Sequence, residues 1–296
     1  MYIMKTWIVT LLGLGSLMFC EAQEASDLMR LVAQYQEVPT DITYLEVDGV
    51  TLKLDVYRAG DHLGEPPWVD FGESRKPTLV YIHGGGWSAL DKSIVIFKFL
   101  PFLEKGWTVV NVNYRLGMPM IPAMVDCRCA LNWVYENAEE YGFDTDKIVL
   151  SGASAGGHLS LITGMKNADY FESPCEIDRS LNVAAIVNWF GVTDLTPYKD
   201  WIEQNSKTEL GEIPIHRWGS PIEYVHPDIP PILTIHGTND TTVPYSQATI
   251  LHERLESAGM PNVLHTIPDG KHGGFSAVEL EQSFEQIWKF LKEHLD

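Results

Sequence analysis

Basic residues are scarce in this chain of 296 residues: 21 Lys and Arg stand against 40 Asp and Glu, a formal charge of −19. A surface this acidic repels phosphate backbones and anionic lipid heads, so neither nucleic acid nor a membrane surface is an expected partner. Cysteine is sparse too, with four in the whole sequence, which excludes a disulfide-dense scaffold. No Cys-x-x-Cys or His-x-x-x-His spacing occurs, so nothing points to a metal site, and no cofactor motif is present. There is no internal repeat, low-complexity tract or interdomain linker.

Long apolar runs are missing as well. The uncharged stretch Trp7–Phe19 is 13 residues, where a membrane span needs about 20. It follows Lys5 and precedes polar Glu21 and Gln23, with small residues at Cys20 and Ala22. That order reads as a secretory signal over residues 1–22, cleaved after Ala22, and predicts a secreted or periplasmic protein with no stable membrane span. Cys20 offers a lipoprotein alternative, although Phe19 stands where a small residue normally precedes the lipidated cysteine. Residues 23–296 are then one domain. Its cysteines are Cys127, Cys129 and Cys175. The first two diverge on a helix and cannot pair with each other; either one of them bridges Cys175, or all three are small buried hydrophobes.

What is present is an alternation of short β-rich runs and helical stretches. Thr43–Val47 and Thr51–Tyr57 flank Asp48-Gly49, a hairpin signal. Apolar runs follow at Leu79–Ile82, Thr108–Val112, Ile148–Leu150, Val183–Trp189, Ile232–Ile235 and Val263–Ile267, separated by candidate helices at 94–104, 122–140, 156–166, 246–258 and 277–294. Continuous rather than alternating runs fit strands covered on both faces. The pattern predicts an α/β three-layer sandwich around a mostly parallel sheet of about eight strands. Residues 59–77 read as a turn-rich loop. Residues 195–230 read as an insertion, holding Trp201, Trp218 and five prolines.

Two motifs carry chemistry. In KIVLSGASAGGHLSLITG, residues 147–164, an apolar strand enters Gly152-Ala153-Ser154-Ala155-Gly156 and a helical segment leaves it. Gly-x-Ser-x-Gly in that context forces the serine onto a strained turn above the carboxyl end of the sheet, beside a helix N-terminus that favours negative charge. Upstream, the strand at 79–82 runs into His83-Gly84-Gly85-Gly86-Trp87. Consecutive glycines can turn several N–H groups toward one point, as a tetrahedral oxyanion requires. Gly85, Gly86 and Ala155 are the expected donors, with His83 ordering the turn.

A serine hydroxyl needs a base to take its proton and a carboxylate to orient that base. In this kind of fold the order is Ser, then Asp or Glu, then His. Asp240 lies on the loop after the strand at 232–235, and His272 on the loop after the strand at 263–267. Asp194 competes as the carboxylate; Asp269 is too close in sequence to His272 to serve easily. His158, His236 and His265 are assigned to packing or to the surface, His158 one helical turn beyond Ser154.

On these residues, the chain from about 43 to 294 resembles the α/β-hydrolases, and within them the hormone-sensitive-lipase-like esterases and the bacterial feruloyl-esterase-like, carbohydrate-esterase branch. The matching pieces are HGGGW at 83–87, NYRL at 113–116, GASAGG at 152–157, HGTND–TVP at 236–244 and HGGF at 272–275. The resemblance implies a serine hydrolase with Ser154, Asp240 and His272 as its triad. It departs in one respect: about 20 residues before the first strand leave no room for the large N-terminal cap common in the lipase-like group. Trp87, Trp189, Trp201 and Trp218 are the expected substrate contacts. Aromatic platforms suit sugar rings or phenolic acyl groups, so acylated plant polysaccharide or oligosaccharide is the favoured substrate. A generalist short-chain carboxylesterase is the main alternative; an arylformamidase and a non-catalytic binding protein are the others.

Overall fold

The computed structural model describes residues 40–58, 75–95, 98–117, 120–165, 173–176, 181, 183–205 and 214–295. The expected signal segment, with Cys20, and most of the loop at 59–77 lie outside the described residues. Eight strands form one sheet: β1 (Ile42–Val47), β2 (Val50–Arg58), β3 (Lys76–Ile82), β4 (Thr108–Val112), β5 (Phe143–Ala153), β6 (Ala185–Trp189), β7 (Ile232–Gly237) and β8 (Asn262–Ile267). Their order is β1-β2-β4-β3-β5-β6-β7-β8. β1 and β2 pair antiparallel, as do β2 and β4; every pair from β4 onward is parallel.

The hairpin closes where Asp48 and Gly49 both take positive φ, 51° and 74°, the backbone twist that a two-residue turn between right-twisted strands needs. Further in, β4, β6 and β7 are buried along their whole lengths. Side chains alternate between faces. Val80, Val110, Leu150 and Ile186 pack beneath the helices at 121–136, 155–165 and 246–257, through Leu131, Leu161 and Leu251. Leu79, Val109, Val149 and Val187 face the other way, against Phe102, Ile287, Phe290 and Leu291 of the helices at 100–104 and 277–295. Each such side chain contributes roughly 1.5–3 kcal/mol when fully buried, so both covering layers are held by the sheet's own alternation. The three-layer sandwich expected from sequence is the one observed.

The cysteines resolve into one pair. Cys129 is bonded to Cys175, 46 residues on, and Cys127 is free and buried. Two positions apart on one helix, the side chains diverge: Cys127 joins the cluster of Ile82 and Tyr114, Cys129 that of Leu45 and Leu52. The reading as small hydrophobes therefore holds only for Cys127. Among the described residues no helix is long and apolar enough to cross a membrane.

Candidate active site

Along the chain, β3 is followed by β4 on one side of the sheet, and β5 by β6 on the other. Loops leaving the carboxyl ends of β3 and β5 therefore part in opposite directions and open a crevice between them, where ligands bind in sheets of this kind. Ser154 sits at that point with φ of 58°, a left-handed conformation that costs a non-glycine residue about 1–2 kcal/mol. Its amide donates to Trp189 O at 2.9 Å, and its carbonyl accepts from His158 N at 3.0 Å. The flanking glycines are demanded by backbone contact. A Cβ on Gly152 would stand 2.5 Å from Ile82 O, and one on Gly156 would overlap the same carbonyl. No side-chain rotation can relieve a clash with main chain, so only glycine lets β3 end against the bend.

Ser154 Oγ lies 2.9 Å from His272 Nε2, and His272 Nδ1 lies 2.7 Å from Asp240 Oδ2. With Nδ1–H donating to the carboxylate, Nε2 is left to accept from the serine hydroxyl. Asp240 is held from its other side by Thr242 N and Val243 N, each 2.8 Å from Oδ1. The side chain of Asp240 is fully buried, whereas that of His272 is 23% exposed, so the orienting group is fixed and the base is reachable. The edge-on ring of Phe190, with centroids 4.8 Å apart, packs against the imidazole. His236 also meets Asp240, its Nε2 3.3 Å from Oδ2 and 2.8 Å from Val243 O. Both neighbours accept, so Nε2 carries the proton; burial pushes the His236 pKa down and keeps the ring neutral.

The competing carboxylates are occupied elsewhere. Asp194 Oδ1 accepts from Thr196 N at 2.8 Å, and Asp269 Oδ1 from Asn239 Nδ2 at 3.2 Å.

The glycine turn is pinned through its carbonyls. His83 Nδ1 donates to Gly84 O at 2.7 Å, and its ring stacks on Tyr114 with centroids 4.3 Å apart. The Tyr114 hydroxyl points to the carbonyls of His83 and Gly84, at 3.0 and 3.2 Å. His83 thus orders the turn as expected. Gly85, Gly86 and Trp87 all have positive φ, at 111°, 59° and 59°.

A cavity of about 340 Å³ opens at the serine, lined by Gly86, Trp87, Ser154, Ala155, Val192, Leu195, Tyr198, Trp201, Thr242 and Val243. Of the expected oxyanion donors, Gly86 and Ala155 line it and Gly85 does not. Of the expected aromatic contacts, Trp87 and Trp201 line it; Trp189 and Trp218 do not. Trp189 is buried against Phe284 under the sheet, and Trp218 is buried among Leu195 and Ile215. Both fill core, which sequence spacing cannot separate from a pocket wall. The lining residues missed from sequence, such as Val192 and Val243, come three positions after the end of β6 and after Asp240. Their nearness to strand carboxyl ends was the available signal.

A strained serine on a strand–turn–helix bend, with an imidazole and a carboxylate delivered from later strand ends of this sheet, defines an α/β-hydrolase. The thermophilic esterase of the Planctomycetes species Thermogutta terrifontis has the same fold, with a TM-score of 0.73 at 26% identity over 88% of this chain and 93% of that one. A truncated carbohydrate esterase from gut microbiota matches with a TM-score of 0.72 at 25% identity, covering 88% and 97% of the two chains. The BD-FAE family model matches residues 70–255, and the chain belongs to that family. Esterase LipQ of Mycobacterium tuberculosis is 30% identical over 212 residues, 67% of this chain; the chain spans 50% of the length of that relative.

Proposed function

We propose that the chain is a serine carboxylic-ester hydrolase that works through an acyl-enzyme. One observation carries this reading: Ser154 Oγ, His272 and Asp240 form a continuous hydrogen-bonded relay with its serine end on the cavity. In this reading His272 Nε2 accepts the hydroxyl proton as Ser154 attacks the ester carbonyl, and Asp240 steadies the imidazolium. The N–H groups of Gly86 and Ala155, both on the cavity, receive the charge that develops on the carbonyl oxygen. His272 then protonates the leaving alcohol and activates the water that releases the acid.

The favoured substrate is an acetyl or feruloyl ester on plant polysaccharide or oligosaccharide. Trp201 supports it, since this residue is 47% exposed yet lines the cavity, as a platform for a sugar or phenolic ring would be. The likeness to a gut carbohydrate esterase supports it too. A generalist short-chain carboxylesterase is the second reading, favoured by the small cavity and by the Thermogutta enzyme, solved with propionate and with butyrate bound. Export to a secreted or periplasmic location is part of the proposal, supported by the Cys129–Cys175 bond, which persists in oxidising compartments.

Kinetics on p-nitrophenyl acetate, acetylated xylan, methyl ferulate and N-formylkynurenine test the proposal. A higher kcat/KM on acetylated xylan or methyl ferulate than on p-nitrophenyl acetate supports the carbohydrate reading. Preference for N-formylkynurenine would make the chain an arylformamidase, and activity on none of them would reject ester hydrolysis.

A further inference from the structure

His158 has no part in the relay, yet it is fully buried one helical turn beyond Ser154 and uses both ring nitrogens. Trp87 Nε1 donates to His158 Nδ1 at 3.1 Å. His158 Nε2 lies 2.8 Å from Gly219 O. An indole N–H can only donate and a carbonyl can only accept, so the tautomer is determined: Nδ1 is bare and Nε2 carries the proton. Burial pushes the pKa of this ring down to about 4, against the pull of the Gly219 carbonyl, so it stays neutral near pH 7. The indole also meets the imidazole edge to face, with ring centroids 5.1 Å apart at 89°.

The partners belong to separate parts of the site. Trp87 ends the glycine turn and lines the cavity; Gly219 belongs to the insertion; His158 rides on the helix that starts from the serine bend. Trp87 itself has φ of 59°, a conformation that a tryptophan keeps only when its surroundings hold it there. Two bonds do so. Gly117 N donates to Trp87 O at 2.8 Å, and the indole is tied to His158. The peptide between Gly86 and Trp87 adjoins the backbone expected to meet the oxyanion.

We propose that His158 is a positioning residue that fixes Trp87, and through it the turn at Gly85–Trp87, in register with the insertion at Gly219. The inference rests on the ester-hydrolase reading and deepens it. The segment that covers the substrate and the turn that receives the oxyanion then form one connected unit joined by a single neutral imidazole. A residue that only filled space would leave the chemical step alone when replaced by a group of similar volume.

The test compares wild type with H158L, H158Q and W87F on p-nitrophenyl acetate, together with inhibition by a trifluoromethyl ketone that forms a tetrahedral adduct on serine. H158L loses both bonds. H158Q retains one acceptor and one donor. W87F removes the indole donor and shortens the side chain while keeping an aromatic ring, so it reports even if H158L fails to fold, and the double variant separates its loss from that of His158. We expect H158L and W87F to lower kcat 10- to 100-fold with KM changed less than 3-fold, and to weaken ketone inhibition by a similar factor. H158Q should recover part of that loss, and the H158L/W87F double variant should be no worse than the poorer single. A kcat within 3-fold of wild type in folded W87F, with ketone inhibition unchanged, overturns the proposal while the ester-hydrolase reading stands. An inactive wild type overturns both.

Discussion

The serine bend and the insertion wall the same cavity by opposite means. The bend is a backbone device. Gly152 and Gly156 press against the carbonyl of Ile82, and between them Ser154 takes its strained φ of 58°. The entry to the insertion is held by side chains. Gln247 Oε1 accepts from Thr193 N and Asp194 N, both at 2.7 Å, and Gln247 Nε2 donates to Asp194 O at 2.9 Å. Ser220 Oγ accepts from Leu195 N at 2.7 Å, and Ile215 and Trp218 are buried beneath. A backbone device admits almost no substitution, whereas a side-chain device can change its lining without moving its base. The first region presents Ser154 to the cavity, and the second adds Leu195, Tyr198 and Trp201 to its wall.

The largest expected effect lies on the relay. D240N keeps the shape of the side chain but lets the imidazole settle in the wrong tautomer, so kcat should fall by roughly 10⁴ at little cost to the melting temperature. Equal activity in the two proteins would place the orienting carboxylate elsewhere. Next comes Gly156→Ala, whose methyl must displace the end of β3. Urea unfolding should show a loss of about 3 kcal/mol, with turnover falling alongside it. A folded, fully active G156A would contradict the backbone account of the bend.

A pH series probes the residue that joins the two regions. An ordinary histidine near 6.5 becomes protonated in the unfolded chain as the solution is acidified, while buried His158 does not until about 4. Folding therefore binds fewer protons in that window. Stability present above pH 6.5 is lost as the pH falls toward 4, by ~3 kcal/mol from this residue. Burial lowers His83, His236 and His252 as well, which adds in the same direction. Melting temperatures at pH 7 and pH 4.5 should differ less in H158Q than in wild type; an equal difference would show that His158 does not titrate this way.

The smallest effect belongs to the insertion. Trp201 is half exposed at the cavity, so W201A should leave stability unchanged and raise KM for an aryl or sugar ester by about 3- to 10-fold. If ethyl acetate, which has no ring, and methyl ferulate lost affinity equally, the indole would be general cover rather than a ring platform.

The same contrast explains what was legible in the sequence. Gly152, Gly156 and the Gly84–Gly86 run mark places where main chain touches main chain or turns sharply, and glycine spacing records that locally. Asp240 and His272 could be found because each follows an apolar strand, and strand ends share one edge of a parallel sheet. Trp189 and Trp218 could not be placed, because core and pocket wall use the same aromatic residues. The start of β5 at Phe143 lay under polar Asp144, Thr145 and Asp146, extended there by pairing of Phe143 with Lys76 rather than by its own composition. The Cys129–Cys175 bond and the His158 bridge join residues 46 and 61 positions apart, and no local pattern announces either.

The most direct test is the identity of the residue that becomes acylated. Peptide mapping by mass spectrometry after quenching a short reaction with an activated ester should find the acyl group on Ser154 alone, and S154A should carry none. Acylation of another residue, or steady turnover by S154A, would contradict the account.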